Sequence, residues 1–179
     1  MKRIFLASLM IIGIISSASA VDVKPYIGLF PINYAFGSVS YLGGGDKPDV
    51  SYLGLGIPSF ALGLKISDFR ADLGVDFTSE VFTFNVFYDI NVSDSFLPYI
   101  KVGFGYWKED FEVNSYKEEA SGTMYVIGCG IGYQVVDHLF IDAGIEYIYS
   151  KEKEKQGGVT TDDSTFKGCG MKLGARYQF

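Results

Sequence analysis

Charge is scarce in this sequence, and positive charge most of all. Asp, Glu, Lys and Arg make up 20% of the 179 residues, with 15 basic side chains against 21 acidic ones. A net charge of −6 offers phosphates no basic footprint and excludes a nucleic-acid binder. Histidine and tryptophan occur once each and cysteine twice. His138 stands beside Asp137 in a segment that reads as a turn, with no second histidine or nearby cysteine to complete a metal site and no partners for histidine-based catalysis. The glycine strings Gly128–Gly132 and Gly103–Gly105 open no helix, so they are not nucleotide loops, and no cofactor site is expected. Beyond the first 20 residues there is also no apolar run fit for a spanning helix. The longest uncharged stretch, Pro25 to Gly45, is broken by Pro25, Pro31, Asn33 and several glycines.

What is abundant is apolar and aromatic. Hydrophobic residues reach 48%, including 13 tyrosines and 15 phenylalanines, alongside 22 glycines. Disorder is thereby excluded. The first segment reads as a secretory signal peptide: Lys2 and Arg3, an apolar run from Ile4 to Ile15, then small residues ending in Ala18, Ser19, Ala20. The run is short for a membrane anchor helix. Residues 1–20 are therefore assigned to the signal and 21–179 to a single domain. Removing the two bases of the signal leaves 13 basic and 21 acidic groups, a net charge of −8.

Period-two alternation divides that domain into two chemically opposed faces. One face carries no charge. It includes Phe60 to Ile66, Phe69 to Phe77, Phe82 to Ile90, Ile100 to Tyr106, Tyr125 to Tyr133, Ile141 to Tyr149 and Met171 to Phe179, each taken every second residue. The other face holds Lys65, Arg70, Asp72, Asp76, Asp89, Lys101, Asp142, Glu146, Lys172 and Arg176, five acids and five bases, among many glycines. These segments give seven strands, and Lys24 to Phe36 supplies an eighth whose phase is open around Pro31. The expected fold is all-β: an eight-stranded antiparallel up-and-down barrel.

Alternation alone would also suit a soluble barrel with an apolar lumen around a ligand. Volume decides between the two. An eight-stranded barrel has room for a tight filling of side chains, whereas the apolar face offers more than thirty mostly large ones. Glycine weakens a solvated strand face but suits a crowded interior. The apolar face therefore turns outward, toward lipid, and the ten charges fill the lumen as a salt-bridged plug. Aromatics fall at two levels, Phe77, Phe82, Tyr106, Tyr125, Tyr147 and Tyr149 at one rim, and Phe69, Tyr88, Tyr133, Tyr177 and Phe179 at the other. Short connections at Ser67 and Asp68, Val92 to Phe96 and Val135 to His138 mark the expected periplasmic end, with both termini. The expected extracellular connections are Gly37 to Ile57, Thr78 to Glu80, Lys108 to Ser121 and Lys151 to Ser164.

Several segments carry a resemblance: "KPYIGLF" (Lys24 to Phe30), "LPYIKVGFGYW" (Leu97 to Trp107), "VVDHLFIDAGIEYIY" (Val135 to Tyr149) and the ending "LGARYQF" (Leu173 to Phe179). In these the chain resembles the small eight-stranded outer-membrane barrels, the OmpA/OmpX-like and opacity-protein-like group. The resemblance implies an integral protein of the cell outer membrane, contacting lipid and lipopolysaccharide. It also implies that Tyr177 and the final Phe179 form the signal read by the barrel-assembly machinery. The expected role is structural or a surface interaction with an extracellular ligand, by a monomer without enzymatic activity. The porin-type members of the group supply the alternative, a narrow channel for ions or small solutes. Cys129 and Cys169 are expected as free thiols on the lipid face of strands separated by one other strand. Two strand spacings, about 9.6 Å, exceed the roughly 7 Å reach of a disulfide.

Overall fold

The computed structural model describes residues 22–41, 50–54, 58–76, 80–93, 95–113, 116–156 and 159–179. They form β1 (Val23–Tyr41), β2 (Val50–Gly54), β3 (Ser59–Ile66), β4 (Phe69–Asp76), β5 (Glu80–Asp89), β6 (Phe96–Val113), β7 (Tyr116–Val136), β8 (Leu139–Gln156) and β9 (Val159–Gln178). From β3 onward each strand pairs antiparallel with the next, and β9 returns to β1 from Tyr26↔Gln178 to Tyr41↔Ser164, closing the sheet.

Nine strands make eight staves. Both β2 and β3 pair with β1, and moving from Phe30↔Ser59 to Ala35↔Gly54 advances equally along both sides, so β2 continues the line of β3 in one register. The barrel is thus the expected eight-stranded, antiparallel, all-β closure.

Its pleat sorts the chemistry as the alternation predicts. Phe69, Ile127 and Ile145 are 56%, 60% and 58% exposed on the outside, while Asp89 and Arg176 are each 1% exposed within. The open phase of β1 is settled by a bulge. Pairing with β9 shifts between Leu29 and Ile32, and the outward residues change from Ile27 and Leu29 to Ile32, Tyr34 and Phe36. Pro31 sits at this shift, where a residue without an N–H leaves the ladder at least cost.

The aromatic levels form by register. Phe69 pairs with Tyr88 with ring centroids 5.2 Å apart, and Tyr177 meets Phe179 at 5.1 Å near the termini. At the other level Phe82 pairs with Tyr106, and Tyr125 contacts Phe104 at 5.5 Å. Phe77 lies outside the described residues.

The end holding both termini has tight hairpins. Ser67 and His138 take left-handed φ of 53° and 69° in the β3–β4 and β7–β8 turns. The far end departs from expectation. The sequence pattern makes Gly37 to Ile57 a connection, yet β1 runs on to Tyr41 and β2 occupies Val50–Gly54. Lys108 to Ser121 and Lys151 to Ser164 are likewise mostly strand, since β6 reaches Val113, β7 begins at Tyr116, β8 reaches Gln156 and β9 begins at Val159. Beyond the membrane belt the apolar alternation ends, so the sequence reads as loop. The backbone ladder continues because neighbouring strands still supply partners, as in Glu112↔Lys117 and Glu152↔Ser164.

Cys129 and Cys169 are exposed free thiols on β7 and β9, beside Ile145 and Tyr147 of the intervening β8.

Candidate functional site: the lumen

The lumen is built in layers, beginning near the termini with two ion pairs. Lys65 and Arg70 are direct cross-strand partners, a repulsive placement by itself. Asp89 on the adjoining strand resolves it by accepting from Arg70 Nε at 2.8 Å and Lys65 Nζ at 3.0 Å. On the opposite side Arg176 Nε donates to Asp142 Oδ2 at 2.9 Å, and its Nη1 donates to Gln178 Oε1 at 3.1 Å. Asp142 sits across the ladder from Gly132, which leaves room for the guanidinium.

Aromatic rings wrap both arginines. The Arg70 guanidinium carbon lies 4.5 Å from the Phe87 ring centroid and 5.0 Å from that of Tyr99. That of Arg176 lies 4.2 Å from Phe140 and 5.5 Å from Tyr26. Arg70 Nη2 has no hydrogen-bond partner, and the surrounding ring faces are what it has instead. Together these side chains form a septum across the barrel.

Above the septum lies a second polar layer. Lys101 Nζ donates to Glu146, whose other oxygen lies 3.7 Å from Lys172. Asp72 accepts from Tyr26 Oη at 3.0 Å and Asn85 Nδ2 at 2.8 Å. Asp76 lines the lumen higher on β4 without a salt bridge among the described residues. All ten charged positions singled out from the sequence therefore project inward, nine of them within four clusters around Asp89, Asp142, Glu146 and Asp72 and the tenth, Asp76, beside these. A buried ion needs such partners, because leaving one alone costs several kcal/mol.

Higher still the lining turns apolar. Val126, Ile148 and Phe166 are buried against Ala35 and Met124, and Trp107 Nε1 donates to Ser150 Oγ at 3.0 Å. Between the ionic and apolar layers is a cavity of about 240 Å³. Below the septum, a vestibule of about 510 Å³ is bounded by Lys24, Lys65, Leu97, Phe140 and Gln178.

The inward aromatics are what alternation analysis missed. Tyr26, Phe87, Tyr99 and Phe140 are buried in the lumen, so its interior is not simply polar. A signal for them exists. Each of Tyr26, Tyr99 and Trp107 stands on the glycine-rich phase and pairs across the ladder with a glycine: Gly63, Gly130 and Gly122. A Cβ on Gly144 would lie 2.6 Å from the Tyr99 hydroxyl, and one on Gly122 would lie 2.6 Å from Trp107 Nε1. Glycine here is the space a ring fills.

His138 lies in its turn at the terminal end, donating from Nδ1 to the Gln178 carbonyl at 2.8 Å and stacking near Tyr177. Tyr177 and Phe179 face outward on the closing strand, 42% and 59% exposed.

A sheet with no open seam around an apolar belt, enclosing ion pairs and glycines, is the architecture of a transmembrane β-barrel. Residues 5–179 match the family model described as "Outer membrane protein beta-barrel domain", and the chain belongs to that family. It is accordingly an integral protein of the outer membrane. Among solved structures it is similar to Neisserial surface protein A, with TM-score 0.52 and 16% identity over 87% of this chain and 97% of that one. It is equally similar to the E. coli outer membrane protein W, with TM-score 0.52 and 14% identity over 87% and 98%. At these identities the likeness is one of fold. No curated protein matches the sequence.

Proposed function

We propose that this protein is a monomeric, non-enzymatic outer-membrane scaffold whose lumen is shut and whose strand extensions meet a ligand at the cell surface. Residues 1–20 act as the signal peptide, both termini and the short turns lie in the periplasm, and Tyr177 with Phe179 is read by the barrel-assembly machinery. The far-end hairpins of β6–β9 stand outside the cell, in contact with lipopolysaccharide and available to an adhesin-like partner.

The observation that carries the reading is the septum. Arg70 with Asp89 and Arg176 with Asp142 span the lumen, and the rings of Tyr26, Phe87, Tyr99 and Phe140 occupy the space between them. Ordinary solutes would have to separate buried ion pairs to pass, at a cost of several kcal/mol. The hairpins supply the surface role. From Tyr125 up to Tyr116, β7 rises nine residue steps past the aromatic level, roughly 30 Å of strand.

One observation favours a second reading, a narrow channel for ions or small solutes: open volumes of about 240 and 510 Å³ lie on the two sides of a thin septum. Single-channel recording in planar bilayers separates the two. Silence is expected, and steady conductance would replace the scaffold by the channel. For the surface role, deleting the β6–β7 tip between Lys108 and Ser121 should lower cell adhesion; unchanged adhesion would remove that contact.

A further inference from the structure

From Lys151 to Lys155 lysine alternates with glutamate, and the pleat of β8 separates the two. Glu152 turns inward, accepting from Ser164 Oγ at 3.0 Å, and Ser164 is 1% exposed. Lys151 and Lys153 stand exposed on the outer face in the phase of Tyr147 and Tyr149, and Lys167 of β9 is exposed beside them. Pairing arranges this face in rows. In the row of the far aromatic level, Ser38, Lys167, Tyr149, Tyr125 and Phe104 follow one another from β1 through β9, β8 and β7 to β6. One row further out come Thr165, Lys151, Thr123 and Tyr106. Lys151 and Lys167 are therefore diagonal neighbours, about 7–8 Å apart along the sheet, and their own two rows hold hydroxyls and rings but no carboxylate. Asp163 comes only in the next row, opposite Lys153, and Lys108 on β6 stands opposite Glu80. Among the described residues neither Lys151 nor Lys167 is in an ion pair.

We propose that Lys151 and Lys167 bind the phosphate of an outer-leaflet lipid, whose acyl chains lie along β8 and β9 below them, over Ile145, Tyr147, Cys169 and Met171. The inference rests on the reading that this end of the barrel lies outside the cell, and it narrows the contact with lipopolysaccharide to one place on the wall. Like charges set side by side on one sheet face repel, and an anion shared between two ammonium groups removes that cost. Height selects the lipid as its source. Aromatic rings of a membrane barrel mark the headgroup level, and Lys167 lies in their row and Lys151 one row beyond, with long stems that keep the charge at the interface while the methylenes rest on the rings. Hydroxyls of Ser38, Thr123 and Thr165 flank the pair as further donors.

The test uses the folded mature protein in a neutral maltoside detergent, titrated with bisphosphorylated lipid A and with the same lipid stripped of phosphate, the bound lipid being counted by native mass spectrometry. The phosphorylated lipid should bind at concentrations at least tenfold below the stripped one. The double variant Lys151→Gln/Lys167→Gln should lose that preference, Lys151→Arg/Lys167→Arg should keep it, and Lys108→Gln, a base already opposite a carboxylate, should change it less than twofold. Heat-dependent electrophoretic mobility shows that each variant is folded. Equal binding of the two lipids, a preference that survives the double Gln variant, a loss in the Arg pair as large as in the Gln pair, or displacement of the lipid by millimolar inorganic phosphate would each overturn the proposal. Orientation is read separately, from antibody binding on intact cells to an epitope inserted at the β6–β7 tip. A hidden epitope would overturn the outer-leaflet assignment even where the lysines bind phosphorylated lipid in detergent, whereas an exposed epitope with no lipid preference would overturn the site and leave the orientation standing.

Discussion

The two halves of the lumen are enclosed by the same eight staves yet are stabilised in opposite ways. Toward the termini the interior is dense: ion pairs with good geometry, arginines faced by rings, and glycines that exist to make room for those rings. Toward the far end the lining is apolar, with Val126, Ile148 and Phe166 packed together and Ile148 and Met124 bordering a cavity. Stiffness and closure therefore reside in the lower half, whereas the upper half can tolerate change. A buried ion pair demands that both partners be present, while an apolar wall beside a void has already lost part of its packing.

The comparison can be broken most severely in the septum. Arg176→Met leaves Asp142 as an unpaired charge 34 residues away in sequence, sealed inside the barrel. The expected loss is about 3–5 kcal/mol, read as a lower urea midpoint for loss of the heat-modifiable band. A loss under about 1 kcal/mol would mean that water solvates the septum. Gly144→Leu should come next. Its Cβ alone would press on the Tyr99 hydroxyl at 2.6 Å, so the ring must leave its site, at about 1–3 kcal/mol.

The upper half should respond less. Met124→Ala removes a half-buried side chain beside an existing cavity and should cost about 1 kcal/mol, below the usual range for truncating a packed methionine. A larger loss would show the cavity wall to be as tightly packed as the septum. The smallest effect belongs to the outer face. Cys129 and Cys169 should both titrate as thiols in denatured, unreduced protein, and Cys129→Ala should leave the urea midpoint nearly unchanged.

Much of this was readable from the chain. In a strand, successive side chains point to opposite faces, so the spacing of Lys65, Arg70, Asp72, Asp76 and Asp89 against their apolar neighbours places them together on one face before any partner is known. Glycine on that face indicated the crowded side. Two things escaped. Tyr26, Tyr99 and Trp107 share the glycine phase, and alternation weighed by hydrophobicity gives no reason for an aromatic to turn inward. The upper parts of β6–β9 have charges on both faces, as in Lys151, Glu152 and Lys153, so nothing in their pattern marks a strand.

What the sequence by itself determined is local: the alternation of seven strands, its polarity relative to lipid, and the stock of opposite charges, all consequences of a side-chain period of two. The tertiary structure alone decided which charges meet. Asp89 serves both Lys65 and Arg70, Glu146 takes Lys101 and Lys172, and Asp72 takes the neutral donors Tyr26 and Asn85. Those choices depend on strand register and on the curvature of a closed wall, which bring together residues far apart along the chain and are properties of the sheet, not of any single strand.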